Sequence, residues 1–351
     1  MWFSAASGPE TWPKERPTSV PGRRNPVWLA IAVIAAFLAA CNRQSAGPAP
    51  SVAAAPPPAA QTAVPAAEAA PPASATGGFD GAKAFDHVAK LVGFGPRPPD
   101  SDAIRQAQNY IRSQLQSFGC AVDEDAFHAQ TPLGPLAMKN IVAKIPGTGP
   151  GIILLLTHYD TKRVANFVGA EDGGSSTGLM LEMARLLCAG KRQPNAVWIA
   201  FLDGEEAQLA DWTDTDSVYG SRELAARLAV SGDLKRIRAV ILADMIGQKN
   251  LEIRREATST EWLMDLVWQT AARLGYKDTF VSHGSEPIDD DHVPFLHRGV
   301  PAVDLIDLSG YQRPGYWHTP EDTLDKISPR SLAIVGHVIL ESVNELQTKF
   351  R

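Results

Sequence analysis

"AVWIAFLDGEE", residues 196–206, runs through seven apolar residues and then turns abruptly to Asp203, Gly204 and the paired carboxylates Glu205 and Glu206. A strand with one wet face alternates apolar and polar residues, whereas one covered on both faces is apolar throughout. The run therefore predicts a strand in the middle of a sheet, with an acidic cluster where it emerges. Similar short runs follow the same logic: "IILLLT" (152–157), "AVILA" (239–243) and "AVDLIDL" (302–308). Helical patterns such as "STGLMLEMARLL" (176–187) and "STEWLMDLVWQTAARLG" (259–275) separate them. Strands alternating with helices imply an α/β fold: a three-layer sandwich with a mixed, mostly parallel central sheet and helices on both faces. Earlier, "AIRQAQNYIRSQLQSFG" (103–119) spaces Ile104, Ala107, Ile111, Leu115 and Phe118 three and four apart before a glycine, the mark of an amphipathic helix with a C-terminal cap.

In such sheets, ligands bind outside the carboxyl ends of the parallel strands. The first run opens onto His158, Tyr159 and Asp160, the second onto Asp203, Glu205 and Glu206, and the third onto Asp244. Asp172 is expected to begin the helix after "FVGAEDGGSS", and His318 lies in the late loop "GYWHTPEDT". Any one of these can be a solvated strand end, since charged residues are mostly exposed. Their joint arrival at one sheet edge implies a metal that offsets the repulsion between them. Oxygen and imidazole donors without thiolates suit zinc, and a catalytic zinc keeps three protein ligands and an open position. The cysteines, Cys41, Cys120 and Cys188, match no zinc-ribbon or redox spacing. Cys120 and Cys188 are either one disulfide or two buried thiols.

The chain has 351 residues, 44% of them hydrophobic, and a formal charge of −6. That balance argues against nucleic-acid binding, which needs clustered Lys and Arg. A small-molecule or peptide substrate fits better. At the N-terminus, Arg23 and Arg24 precede "VWLAIAVIAAF", too short for a comfortable span, and "LAAC" ending at Cys41. This resembles a bacterial lipoprotein signal, with Cys41 lipidated; an uncleaved N-terminal anchor is the other reading. Both imply export to the cell envelope, facing the periplasm or the cell surface. Residues 42–78 are almost all Ala, Pro, Ser, Gly and Thr, a composition that makes a tether rather than a core. The expected organisation is a signal segment (1–41), a tether (42–78) and one catalytic domain (79–351).

The ordered set "GFGPRPP", "TPLGPLAMKNIVAKIPG", "THYDTK", "FVGAED", "FLDGEEA", "DSVYGSREL", "LADMIG", "DDDHVPFLHRGVP" and "YWHTPED" closely resembles the glutaminyl-peptide cyclotransferases, which share the fold of the di-zinc aminopeptidases. The resemblance implies a single zinc on Asp172, Glu206 and His318. It makes Glu205 the general acid/base and places Asp244 and Asp290 in its proton-handling network. Trp212 and Trp317 become aromatic walls around the substrate side chain. The implied substrates are peptides or proteins with N-terminal Gln; the expected working unit is a monomer. The alternative is a di-zinc aminopeptidase: His158 and Asp244 then hold a second zinc, Asp172 bridges both ions, and Glu205 activates a metal-bound water. A scaffold that kept the fold and lost the activity is a third reading, which would require a missing site residue. The sequence departs from the animal cyclases at Thr157, where they carry a disulfide cysteine, and at Asp289, where glutamine is usual. An extra residue also separates Glu206 from Trp212.

Overall fold

Among the described residues, one sheet of six strands runs in the order β1 (Ala121–Thr131), β2 (Gly134–Ile145), β4 (Ala196–Leu202), β3 (Ile152–His158), β5 (Ile237–Asp244) and β6 (Ala302–Ile306), with three of the buried runs inside it and the fourth, β6, at its edge. This computed structural model describes residues 69–283, 286–308 and 315–351. The signal segment with Cys41, and the tether up to residue 68, lie outside the described residues.

β3 (Ile152–His158), β4 (Ala196–Leu202), β5 (Ile237–Asp244) and β6 (Ala302–Ile306) are parallel and almost wholly buried. Successive side chains of β3 serve opposite layers. Ile153 and Leu155 join the core beneath helices α1 (Gly81–Val92), α2 (Asp102–Ser117), α3 (Ser176–Ala189), α5 (Glu261–Arg273) and α7 (Pro329–Lys349). Ile152, Leu154 and Leu156 pack instead with Leu224, Ala225 and Leu228 of α4 (Tyr219–Ser231) and Phe295 of the short α6 (Val293–Leu296). The three-layer α/β sandwich is thus the observed architecture. No helix among the described residues is long and apolar enough to cross a membrane.

α2 matches its expected span. Ile104, Ala107, Ile111 and Leu115 are buried, and Ser101 caps the N-terminus by accepting from the Ile104 amide at 3.1 Å. Two features were not anticipated. β1 (Ala121–Thr131) and β2 (Gly134–Ile145) form an antiparallel hairpin in register from Ala121↔Lys144 to Thr131↔Gly134. β1 carries Asp123, Glu124 and Asp125 at a sheet edge where only Asp125 and Ala129 are buried, so it lacks the apolar run that betrays the inner strands. Asp172 also does not begin a helix: α3 starts at Ser176, and Asp172 sits in a π-type turn, Ala170–Ser175.

Cys120 and Cys188 are joined in a disulfide, which ties the entry to β1 to the end of α3. The crosslink spans a sequence separation of 68, and closing a loop of that size removes about 4 kcal/mol of unfolded-state entropy in the chain-entropy model. Cys120→Ser/Cys188→Ser is accordingly expected to lower the denaturation midpoint. Urea unfolding of variant and parent checks this, and coincident midpoints would refute it.

Candidate metal centre and active site

The parallel strands deliver their terminal residues to a single edge of the sheet. His158 closes β3 and Asp244 closes β5, while Glu205 and Glu206 lie just beyond β4. The turn bearing Asp172 reaches this edge because Gly173 adopts φ +74, a conformation that disfavours a side chain. A Cβ there would also stand 2.7 Å from the Asp160 carbonyl oxygen and 2.9 Å from His158 Cε1. Non-glycine residues with positive φ gather here as well: Val218 (42°), Met245 (46°) and His318 (54°). Val218 donates its amide to the Glu205 carbonyl at 2.7 Å, Met245 follows Asp244, and His318 is itself a predicted ligand. Backbone strain of this kind persists where the surrounding structure over-determines it.

Two triads of donor atoms result, each with its atoms within 4.8 Å of one another: Asp172, Glu206 and His318, and His158, Asp172 and Asp244. His318 Nε2 lies 2.9 Å from Glu206 Oε1 and 3.2 Å from Asp172 Oδ2. His158 Nε2 lies 3.3 Å from Asp172 Oδ1 and 3.1 Å from Asp244 Oδ1. All of these carboxylates are buried, and Glu206 Oε2 has no hydrogen-bond partner. Such oxygen and imidazole donors, with an unsatisfied buried carboxylate among them, fit a divalent cation. The first triad is the set expected for a single zinc, and the second contains the extra pair expected of a di-zinc site.

Asp160, at the exit of β3, was not assigned a role from sequence. Its carboxylate accepts the amides of Glu205 (3.1 Å) and Glu206 (3.4 Å) and stands 3.4 Å from His158 Nδ1. One buried carboxylate thereby fixes the backbone of both glutamates. The Lys162 amide donates to Glu206 Oε1 at 3.1 Å, and its ammonium lies 3.8 Å from Oε2.

Glu205 is held well above the ordinary carboxylate range, first by burial and then by the charges of Glu206, Asp290 and Asp291, with His158 opposing. Asp290 is likewise held high by burial, then by Asp304, Asp244 and Asp291. Burial also raises Asp244, against the pull of His158. Asp304 joins the same buried acidic group. It sits inside β6, wholly buried, with both carboxylate oxygens unpartnered. A lone aspartate in a strand pattern was the available signal. Burial works against the charge on His318, yet Asp172 and Glu206 lift its pKa to about 9.

Trp317 stacks on His318 with ring centroids 3.6 Å apart, and Phe167 meets the same imidazole edge-on at 5.7 Å. Trp212 donates Nε1–H to Asp289 Oδ2 at 3.2 Å. His292 turns its Nε2 toward Thr258 Oγ1 at 2.9 Å and Glu256 at 3.4 Å. His292 thus anchors the segment carrying Asp290 to a neighbouring loop.

Asp203 points away from this cluster. Its Oδ2 accepts from the Lys139 amide (2.9 Å), Tyr159 hydroxyl (3.1 Å) and Gln108 Nε2 (3.1 Å). Burial, then Asp160, pushes its pKa up to about 8. An unfolded aspartate ionises near pH ~4, so the folded state retains a proton that the unfolded chain has released. Stability from this group is therefore lost progressively as pH rises from about 4 to about 8. Asp203→Asn resembles the protonated acid, and its melting temperature should match the parent near pH ~4 and exceed it increasingly up to pH ~8. One pKa unit is worth about 1.4 kcal/mol, so even a quarter of this shift gives a measurable gap. Parallel pH profiles would overturn the assignment.

Residues 140–343 match Peptidase family M28. The glutaminyl-peptide cyclotransferase-like protein of Mus musculus is 34% identical over 272 residues, covering 69% of this chain and 70% of its own. The chain belongs to the glutaminyl-peptide cyclotransferases of peptidase family M28. A glutaminyl cyclase from an Acidobacteriales bacterium shares this cyclotransferase fold at 39% identity and a TM-score of 0.72, over 83% of this chain and all of that one. A Zn-dependent exopeptidase from Parabacteroides distasonis is similar at 28% identity and a TM-score of 0.69, over 76% and 98% of the two chains. The glutaminyl cyclase and the Zn-dependent exopeptidase thus share one scaffold with this chain, and the site residues must distinguish the two chemistries.

Proposed function

We propose that this cyclotransferase converts the N-terminal Gln of peptides or proteins to pyroglutamate and releases ammonia. The observation that carries this reading is the triad of Asp172, Glu206 and His318 with Glu205 buried beside it, in a chain that belongs to the cyclotransferases. A zinc held by that triad would polarise the γ-amide carbonyl.

The rest of the work falls to the chain's own side chains. Cyclisation forms a bond between the α-amine nitrogen and the γ-carbonyl carbon and breaks the bond from that carbon to the amide nitrogen. Because nucleophile and electrophile share one residue, the site needs to fold the Gln side chain back and move a proton. Glu205 removes the proton from the attacking amine and delivers it to the departing nitrogen, which leaves as ammonia. A carboxylate with a raised pKa suits both halves of that transfer. Asp290 and Asp244, also raised, supply a neighbourhood in which a proton can be shared. Trp317, fixed on His318, and Trp212, fixed on Asp289, would flank the Gln side chain.

The second triad, His158, Asp172 and Asp244, supports the aminopeptidase reading, in which a second zinc and a water nucleophile replace internal attack. Incubating the full chain with a Gln-initiated peptide separates the two by mass spectrometry. Cyclisation lowers the peptide mass by one ammonia, whereas removal of the first residue would sink the cyclase reading.

We read the working unit as a monomer, because one chain supplies every site residue; activity per mole independent of enzyme concentration checks this. The disulfide suits an oxidising compartment. Together with the signal-like segment ending at Cys41, it supports an exported, lipid-anchored protein of the bacterial cell envelope. Cys41→Ala should leave activity intact and move the protein from the membrane to the soluble fraction. Continued membrane association would favour an uncleaved N-terminal anchor.

A further inference from the structure

Arg97 is fully buried, yet it forms no direct ion pair among the contacts of its guanidinium. Nε donates to the carbonyl of Tyr159 at 3.2 Å, Nη1 to that of Val168 at 2.7 Å and Nη2 to that of Gly169 at 3.1 Å. Longer bonds from Nη1 reach Gly95 (3.3 Å) and Leu91 (3.4 Å). Tyr159 directly follows His158, and Val168 and Gly169 lead into the turn that presents Asp172. Main-chain bonds extend the link: Arg97 N–H donates to Thr161 Oγ1 at 2.8 Å, and Thr161 N–H to the Arg97 carbonyl at 3.2 Å.

Asp322 ties the other side of the same turn. Its carboxylate accepts the amides of Glu171 (2.8 Å) and Asp172 (3.1 Å), and its carbonyl accepts that of Ala170 at 3.4 Å. Asp322 lies four residues beyond His318, within the same loop. It is wholly buried, and it is the first of the anions whose charge favours the buried Arg97 cation.

Burying an arginine away from a direct counterion is costly, and an apolar residue would pack there without that cost. An apolar residue would, however, strand the carbonyls of two irregular loops without donors. The rigid planar fork of arginine can serve both loops at once, which the point charge of a lysine cannot.

We propose that Arg97 and Asp322 are positioning residues that lock the loops of His158, Asp172 and His318 in mutual register and thereby set the zinc affinity of the site. This rests on the reading of Asp172, Glu206 and His318 as the ligands. The test is competition for zinc between the full chain and a chromophoric chelator, with melts of the zinc-free protein alongside. Arg97→Lys and Asp322→Asn are each expected to raise the zinc Kd by about 10–100-fold. Turnover should recover toward the parent level once zinc exceeds the new Kd, a rescue that a merely structural defect would not show. A Kd within about twofold of the parent in both variants overturns the proposal, given that ligand-orienting partners ordinarily cost more. So does turnover that stays low at saturating zinc. Failure of both variants to fold would make the pair a structural clamp and overturn it equally. A parent chain that binds no zinc would instead remove the ligand assignment itself, so the two failures are distinguishable.

Discussion

Replacing Glu205 by Gln should lower kcat by about 10²–10⁴-fold, the usual contribution of a positioned acid/base, while zinc content stays at the parent level. Glutamine preserves the shape of the side chain and can occupy the same buried site, but its amide cannot take a proton from the substrate amine. Glu205 belongs to neither donor triad, so the metal should be unaffected. Its main-chain anchors, the Val218 amide on its carbonyl and Asp160 on its own amide, do not involve the side chain and should persist. The decisive pair of measurements is turnover of a Gln-initiated peptide and zinc by atomic absorption, both on the same sample. Full activity in Glu205→Gln would eliminate the proton transfer assigned to it. Loss of zinc would instead move Glu205 into the ligand set.

The doubled glutamate shows how far sequence reaches and where it stops. The apolar run of β4 and its acidic exit were legible because strands buried on both faces have a distinctive composition, and because ligand sites gather at the carboxyl ends of parallel strands. That Glu205 and Glu206 divide their roles depends on something less visible. Asp160, just beyond the end of a different strand, accepts both amides and so holds the backbone from which each side chain leaves. No local pattern marks it, since an aspartate at a strand end is more often solvated. Asp203 shows the converse. It has the same composition and the same strand end, yet it bonds to the β1–β2 hairpin side and not to the cluster. The hairpin leaves no such mark in the sequence, because its edge strand is charged and buries only Asp125 and Ala129. The sequence pattern puts Asp172 at a helix start, but the positive φ of Gly173 breaks the turn before α3 begins, and in that turn the carboxylate lies 3.3 Å from His158. Motif order located the candidate residues, and long-range hydrogen bonds decided which of them meet.

The number of metal ions remains the sharpest distinction between the two chemistries this scaffold supports, and His318→Ala and His158→Ala read it directly. Zinc bound by small protein sites is worth about 10–16 kcal/mol. If each ligand of a three-ligand site carries an equal share, losing one costs on the order of 4 kcal/mol, or about 10³-fold in Kd. His318→Ala, which leaves only Asp172 and Glu206 of its triad, should therefore lose its zinc on dialysis under conditions where the parent retains it. For His158→Ala the readings diverge. With one zinc on Asp172, Glu206 and His318, the variant keeps its metal. What it loses is the imidazole standing between Asp172 and Asp244, whose charge opposes the rise in Glu205 and Asp244. Turnover would fall while stoichiometry stays at one per chain. With two zincs, His158 is a ligand of the second, so stoichiometry in the variant should drop from two toward one. Titration of the metal-free parent and both variants with zinc gives these counts without reference to activity, so the result holds whichever substrate the enzyme meets. A parent that binds two ions, one of them lost with His158, would overturn the cyclase assignment in favour of metal-activated water.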